Sequence, residues 1–500
     1  MKLSELIAEL PISGFSGDDP EITGIAHDSR RVMAGDLFVA WQGERHDGAA
    51  FAPAALAAGA VAVLVPHGNA PSHEAENALW LTAESPHRLL GALAARMWRR
   101  PDRDLLMAGV TGTNGKSTVA ALLKAMLDAA ARPAGIVGTL GYRFQGLMEP
   151  AARTTPEPSD LFRLLRRMAD LGAESLVMEA SSHALALGRL DEVTFDLAVF
   201  TNLTRDHFDL HGDLESYFAA KRSLFDRLRS GGWAVTNVDD SFGRRLVDEL
   251  EEVRKDGRLF SYSSQGAPAD VAVLDVDFDA TGTRARLTTP AGDLEIGTPL
   301  LGRFNLENLT AAIAGALALG LDPRSIARTC AAFAPLPGRL EPVAGGGAVP
   351  VFIDFAHTEE ALRAAIESLT ELTGRKLVVV FGCGGDRDPG KRRTMGRIAG
   401  ELAELPIVTS DNPRSEDPLA IIKEVEKGLV DSGNHLYRVV PDRREAIRRA
   451  VAVARDDQAV LIAGKGHEET QTLGAVEHAF SDREEALEAL EERYGEAVGG

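Results

Sequence analysis

An α/β chain of three successive units is predicted by three features of the sequence. At 105–124, LLMAGVTGTNGKSTVAALLK puts an apolar strand, a polar glycine turn and an Ala/Leu-rich helix in a row. Between residues 349 and 464, five apolar stretches (VPVFIDF, KLVVVFG, LPIVTS, LYRVV, QAVLIAG) alternate with helical segments, which builds a mostly parallel, Rossmann-like sheet. Residues 1–100 set short apolar strands around an Ala-rich helix, the pattern of a smaller α/β unit. At about 150 residues per domain, a chain of 500 has room for three.

Composition narrows the class. The net charge of −20 leaves no general basic face, so neither a nucleic acid nor a membrane surface is expected as a partner. Anionic ligands would need local sites built from Arg, Lys, Mg²⁺ and backbone N–H groups. Cys330 and Cys383 give no disulfide framework and no metal cluster, so a reducing compartment is expected. MKLSELIAELP reads as an amphipathic helix, not a signal peptide, and no apolar run approaches ~18 residues. The cytoplasm is the expected location.

The first unit, 1–100, continues from that helix into EITGIAHDSRRVMAGDLFVA and a helix–strand pair, DGAAFAPAALAAGAVAVLVP. By chemistry alone Asp28-Ser29-Arg30 reads as a capped turn. A helix from Pro86 to about Arg99 ends before Pro101, which marks a boundary.

The central unit, 101–337, holds the turn Thr111–Gly115. Gly112 and Gly115 let the backbone curl so that its N–H groups face an anion. A helix dipole begins where that anion would sit, and Lys116 adds a mobile positive charge. Ser117 or Thr118 can offer a hydroxyl to Mg²⁺, which makes this unit a P-loop ATPase-like α/β domain. The glycine usual five residues before Gly115 is replaced by Val110, with Gly109 one step earlier. Further on, strands at 135–139, 175–178 and 195–200 flank a helix over 159–171. Two of them end in Glu179-Ala180-Ser181-Ser182-His183 and Thr201-Asn202-Leu203-Thr204-Arg205-Asp206-His207. Polar residues just past apolar strands fall where open α/β sheets bind ligands, so Glu179 and His207 are candidate divalent-metal ligands. Lys221, in SYFAAKRSLFDRL, reads as a solvated lysine on a helix face. Residues 256–300 alternate in period two, as antiparallel ribbon does. GRFNLEN then opens an Ala-rich helix stopped by Gly320.

The last unit, 338–500, follows the stiff linker Pro335-Leu336-Pro337-Gly338-Arg339. Its strands end in polar clusters: Asp354 with His357, GCGGDRDPGKR, Ser410-Asp411-Asn412-Pro413-Arg414, and Gly464-Lys465-Gly466-His467-Glu468. No GxGxxG opens a helix, so no dinucleotide cofactor is expected.

GTNGKST, EASSH, NLTRDHFDLHG, GRFNLENLTAA, PGRLEPV, DFAHT, GGDRDPGKR and GKGHE resemble, in order and across the chain, the successive motifs of the Mur ligases. That family forms amide bonds with ATP in peptidoglycan assembly. The resemblance implies ATP and Mg²⁺ as cofactors and an acyl-phosphate intermediate. ATP contacts fall on Gly112, Thr113, Asn114, Gly115, Lys116, Ser117, Thr118, Asn305, Asn308, Arg339 and Asp354. Ser117, Glu179, His207 and Lys221 would hold the metal, with Lys221 as the N6-carboxylysine carbamate. Lys116, Glu179, His207 and Lys221 would be the catalytic set.

A first domain centred on Asp28-Ser29-Arg30 resembles the part that holds a uridine nucleotide and separates the chain from folylpolyglutamate synthases. Its contacts align with His27, Ser29, Glu44, Arg45 and His46. Thr154, Thr155, Ser181 and Arg189 align with contacts to the muramoyl-peptide, so UDP-N-acetylmuramoyl-L-alanyl-D-glutamate is the expected acyl substrate. Asp411-Asn412-Pro413-Arg414 resembles the motif of the branch that adds meso-diaminopimelate, whose second carboxylate suits a guanidinium fork. Arg387, Asp411, Asn412, Pro413, Arg414, Gly464 and Glu468 match that amino-acid pocket. A lysine-adding relative is the first alternative and a folylpolyglutamate-synthase-like ligase the second, and a monomer is expected. The chain departs from the family pattern at Leu187 (often Gln), Phe355 (Tyr) and Glu359 (Pro), and Glu44-Arg45-His46 matches in position but not in residue type.

Overall fold

A computed structural model describes residues 1–15, 17–43, 47–70, 79–250, 258–279, 281–344 and 347–495. Glu44, Arg45 and His46, expected at the uridine nucleotide, lie outside the described residues. The chain forms two compact units that interleave in sequence: Met1–Thr111, Ala131–Ala198 and Ala220–Ala234 make one, and Gly112–Ala130, Val199–Ala219 and Val235–Gly500 the other. Among the described residues no helix is long and apolar enough to cross a membrane.

In the first unit a parallel four-stranded sheet runs in the order Gly24–Ala26, Asp36–Val39, Ala62–Pro66, Leu79–Ala83. Successive side chains leave a strand on opposite faces, and both faces are covered here. Leu37 and Val39 join Leu3, Leu6, Leu90 and Leu93 on one side. Phe38 and Ala40 join Ala52, Ala55, Val63 and Val65 on the other. The helix Pro86–Met97 starts with proline, whose missing N–H costs nothing at a helix start, and supplies Leu90 and Leu93. Asp28 caps a short 3-10 turn, Ser29–Arg31, through Arg30 N–H, as the bare sequence implies. Leu106–Thr111 pairs in parallel with Ser175–Glu179, which pairs in parallel with Ala134–Gly138. Gly109, read as the displaced loop glycine, sits inside Leu106–Thr111, where a β-carbon would lie 2.9 Å from the Phe195 ring. It is a packing glycine.

The second unit contains the helix Lys116–Ala129, the helix Arg303–Ala318 packed beside it, and a ribbon of strands. Val271–Asp279, Gly282–Thr288 and Leu294–Thr298 are antiparallel as the alternation implies, but Leu259–Ser263 pairs with Val271–Asp279 in parallel. Alternation reports burial of one face, not strand direction. A six-stranded sheet follows in the order Glu341–Pro342, Val351–Asp354, Gln458–Ala463, Lys376–Phe381, Leu405–Val408, Arg438–Val439, all parallel except the first pair. Val378, Val380, Val460 and Ile462 line one core; Leu377, Val379, Phe381 and Leu461 line the other. That double burial is why these strands are unbroken apolar runs. A hairpin, Thr470–Leu473 with Val476–Ala479, is absent from the sequence reading. Its second strand is exposed throughout, so it carries no hydrophobic alternation to read.

Candidate active site

Gly115 precedes the helix Lys116–Ala129 at φ +87°, a left-handed conformation that costs other residues. A β-carbon there would lie 2.1 Å from Asn308 Oδ1, and one at Gly112 would lie 1.8 Å from Thr201 Oγ1. The loop is therefore held against two other segments with no room for side chains. Thr113 N–H donates to Asn202 O (2.8 Å) and Asn114 N–H to Asn202 Oδ1 (2.9 Å), while Thr201 Oγ1 donates to Asn114 O (2.6 Å). Those two loop amides are thus engaged by the segment after Phe195–Phe200. The helix-opening amides of Ser117 and Thr118 are ones that a helix does not satisfy itself, as an anion site at a helix start requires. Lys116 Nζ donates to Gly112 O (3.0 Å) and Thr113 O (2.8 Å), which places the ammonium over the loop.

The nucleotide candidates gather in the same unit. Asn305 and Asn308 are buried one turn apart on Arg303–Ala318, with Asn305 Nδ2 donating to Leu301 O (2.9 Å). Arg339 Nη2 donates to Ser117 Oγ at 3.3 Å across 222 residues of sequence. Its guanidinium stacks over Phe355, 4.9 Å from the ring centre, so the ring face survives the departure from tyrosine. Burial raises the Asp354 carboxyl to about 6 against the pull of Arg339, and its Oδ2 accepts from Leu340 N–H (2.8 Å). His207 follows Asp206 at φ +55°, with its Nε2 3.3 Å from Asp206 Oδ2. Burial opposes ionisation of Asp206, but His207, His357 and Lys391 hold its carboxyl down at about 2.

In the first unit, Glu179 Oε1 accepts from Thr139 N–H (2.8 Å) and Oε2 from Thr139 Oγ1 (3.1 Å). Thr139 Oγ1 also meets Thr154 Oγ1 at 3.2 Å. Thr155 Oγ1 donates to Glu179 O (2.7 Å) and meets Ser181 Oγ at 3.1 Å. Arg189 Nη1 donates to Thr155 O (3.2 Å) and its Nε lies 2.9 Å from Glu157 Oε1. Glu179, Thr154, Thr155, Ser181 and Arg189 thus form one network, with Thr139 and Glu157 as members the sequence reading missed. His27 Nδ1 meets Ser159 Oγ (2.8 Å) and its ring stacks on Trp41. Burial lowers the His27 pKa. Ser29 sits in the turn capped by Asp28. Lys221, read as solvated, is 1% exposed near the end of the helix Leu214–Arg222, and that reading is corrected. Leu187 stands exposed just after Ser182–Ala186.

The amino-acid candidates surround the segment Asp411–Arg414. Arg414 adopts φ +51°, and its Nη1 donates to Gly385 O (2.7 Å). Burial and, after it, the charge of Arg387 lower its pKa. Asn412 Nδ2 donates to Glu468 Oε2 (2.9 Å), and Lys465 Nζ donates to both Asn412 Oδ1 (3.0 Å) and Glu468 Oε2 (2.8 Å). A β-carbon at Gly464 would lie 2.5 Å from Asp411 Oδ2. Burial disfavours the Asp411 anion, yet Arg443 and Lys465 keep its pKa below the usual value. The hairpin closes one side: Gln471 Nε2 donates to Asp411 O (2.7 Å) and Arg414 N–H to Thr472 O (3.2 Å). Pro413 carries the turn, with its carbonyl against Gly385. Lys465 and Asn202 each lie just past an apolar strand, a signal that could have found them; Gln471 has no such signal.

Among the described residues no three His, Cys, Asp or Glu side chains cluster as a ready metal site. Ser117 and His207 belong to one unit, Glu179 and Lys221 to the other.

Three family models match the chain: "Mur ligase family, catalytic domain" over 21–98, "Mur ligase middle domain" over 110–316, and "Mur ligase, glutamate ligase domain" over 338–466. The UDP-N-acetylmuramoyl-L-alanyl-D-glutamate–2,6-diaminopimelate ligase of Gloeobacter violaceus is 43% identical over 99% of both chains. The enzyme of the same name from Streptomyces coelicolor is 41% identical over 99% of this chain and 97% of its own. A solved structure with that name shares 32% identity over 99% of both chains at a TM-score of 0.66. A folylpolyglutamate synthase of Mycobacterium tuberculosis (21% identical, TM-score 0.63) shares the fold over only 75% of this chain and 92% of its own. A MurF ligase of Thermotoga maritima in complex with ADP shares the fold at 19% identity and a TM-score of 0.65, covering 95% of this chain and 98% of its own. Matched by family models over 21–98, 110–316 and 338–466 and by a relative 43% identical over 99% of its length, the chain belongs to the Mur ligase family.

Proposed function

We propose that this chain is an ATP-dependent amide ligase of peptidoglycan synthesis that joins meso-diaminopimelate to UDP-N-acetylmuramoyl-L-alanyl-D-glutamate. The full-length relatives bear that activity in their names. One structural observation carries the choice of amino acid: a β-carbon at Gly384 would meet Arg414 Nη1 at 3.0 Å, Asn412 O at 3.6 Å and Arg387 Cγ at 4.0 Å, so both arginine side chains flank one glycine beside the Asn412–Glu468 hydrogen bond. Two guanidiniums suit an added group that ends in a carboxylate and repel one that ends in an ammonium.

The chemistry follows in two steps. The D-glutamyl γ-carboxylate attacks the γ-phosphorus of ATP; an O–P bond forms, the bond to the bridging oxygen breaks, and ADP leaves. The amine of diaminopimelate then attacks the acyl carbon, phosphate departs with the electrons of the C–O bond, and the amine loses a proton. Two anions must meet in the first step, so positioning and charge neutralisation do most of the catalysis. Lys116, already over the loop, and the amides opening its helix would hold the β- and γ-phosphates. Arg339, braced on Ser117 and Phe355, would reach the phosphates from the segment after the linker. Thr155, Ser181 and Arg189, locked into one network, would orient the muramoyl-peptide.

Mg²⁺ would offset phosphate charge from Ser117, Glu179, His207 and Lys221. The hydroxyl and carboxylate oxygens in that set suit a hard dication, but a buried ammonium does not. A buried Lys221 fits the set once CO₂ has converted its amine to an anionic carbamate. On that reading Lys221→Ala loses most activity, and a small added carboxylate restores part of it; no restoration removes support for the carbamate.

Residues 1–100, 101–337 and 338–500 are proposed as the acyl-substrate, ATP and amino-acid domains. Nucleotide-linked substrates and two buried, unbridged cysteines support a cytoplasmic location, and a monomer is proposed. Purified protein assayed with the UDP-dipeptide, ATP and each amino acid in turn tests the reading. Turnover with meso-diaminopimelate is expected, and turnover with lysine alone would move the chain to the lysine-adding branch.

A further inference from the structure

We propose that Glu307, acting through Asn202, is a positioning residue for the phosphate loop. The inference rests on the reading that this loop binds ATP. Asn202 is engaged from three directions. Its carbonyl oxygen accepts from Thr113 N–H (2.8 Å), its side-chain Oδ1 from Asn114 N–H (2.9 Å), and its Nδ2 donates to Glu307 Oε1 (3.0 Å). A primary amide between an N–H and a carboxylate can sit only one way. Turning it over would aim its NH₂ at Asn114 N–H and its oxygen at the Glu307 carboxylate, replacing two attractions by two repulsions. Glu307 therefore keys the orientation in which Asn202 holds Asn114, one residue before Gly115.

Its position in the fold supports this role. Glu307 lies on Arg303–Ala318 between Asn305 and Asn308, and Asn308 abuts Gly115. One turn of helix thus presents Glu307 and Asn308 to the loop region, and only Asn308 has an expected ligand. Part of Glu307 reaches solvent, but its carboxyl end bonds Asn202 and feels the charges of Asp239, Asp240 and Glu360. An acid near three acids is a poor structural choice, and its hydrogen bond goes to the amide that grips the loop. The segment around Asn202 has other anchors. Asn237 Nδ2 donates to Thr201 O (2.9 Å), and Leu203 N–H donates to Asp240 Oδ2 (3.1 Å). Losing Glu307 therefore releases one amide without freeing the strand end.

The test measures ADP affinity by calorimetry and KM for all three substrates. Glu307→Ala is expected to weaken ADP about five- to tenfold and raise KM for ATP alike, as loss of one charged hydrogen bond does. KM for the other two substrates should stay within about twofold. Glu307→Gln, which keeps an acceptor, should bind ADP within about twofold of the parent. Asn202→Asp places two carboxylates face to face and should weaken ADP, and adding Glu307→Gln to it should restore affinity by supplying an NH₂ donor. That rescue distinguishes positioning from general stability and does not depend on the alanine variant folding. Unchanged ADP affinity in Glu307→Ala, or failure of the Asn202→Asp/Glu307→Gln pair to recover, would overturn the inference while leaving the ATP reading intact. Parent protein that binds no ADP would overturn both.

Discussion

At the scale of single residues, Arg414 combines a strained backbone with a depressed pKa. Its φ of +51° costs a non-glycine residue on the order of 1 kcal/mol or more, tolerated here because Thr472, Gly385 and the hairpin hold it. Removing the guanidinium should leave the fold intact, since Arg414 N–H keeps its bond to Thr472 O. Arg414→Ala is expected to raise KM for diaminopimelate by roughly 30-fold or more, about 2 kcal/mol for a lost bidentate charge pair, with KM for ATP nearly unchanged. Equal rises in both constants, measured by steady-state kinetics, would remove the assigned role. Glu307 gives a second prediction. Burial, with Asp239, Asp240 and Glu360 nearby, raises its carboxyl to about 7 although Asn202 pulls the other way. A raised acid favours the folded state when protonated, so its contribution is full below the ordinary carboxylate range and is lost as pH rises through about 7. Glu307→Gln should thus be more stable than the parent at pH 8, by on the order of 1–3 kcal/mol, and the gap should close near pH 4. Denaturant melts at the two pH values check the sign.

At the scale of elements, the glycine loop joins propensity to chemistry. Gly115→Ala forces a β-carbon into the left-handed region and 2.1 Å from Asn308 Oδ1, so either the loop or Asn308 must move. The expected result is at least tenfold weaker ADP binding with the overall fold retained, read by calorimetry beside far-ultraviolet circular dichroism. Strand and helix at this site were legible because an apolar run, two glycines and an Ala/Leu-rich stretch each report a local preference. The hairpin after Glu468 was not, because both its faces are largely polar and exposed. Leu259–Ser263 was legible as a strand but not as a parallel one, since direction is fixed by partners and not by alternation.

At the scale of the whole molecule, binding should feed back on stability. A ligand that binds only the folded chain stabilises it by about 2.7 kcal/mol at one hundred times its Kd. Mg²⁺ with ADP is expected to raise the midpoint of thermal unfolding by a few degrees, and NADH is expected to leave it unchanged. A shift with NADH would contradict the absence of a dinucleotide motif. The chain's interleaving into two units, with Gly112–Ala130 and Val199–Ala219 joining residues after 235, has no counterpart in linear composition. Local patterns mark elements; they do not say which distant elements fold together.

The sequence by itself determined the kinds of element, the glycine loop, the polar strand ends and, through eight ordered motifs, the family. Those properties depend on neighbours along the chain: side-chain period, turn residues and caps. Tertiary structure decided what depends on neighbours in space. It buried Lys221, whose helix alone reads as solvated, and it set Asn202 between two loop amides and Glu307. It brought Arg339 to Ser117 and closed the Asp411–Arg414 segment with Lys465 and Gln471. Burial and the partners of a charge are set by chain segments up to 222 residues apart, and no local pattern encodes them.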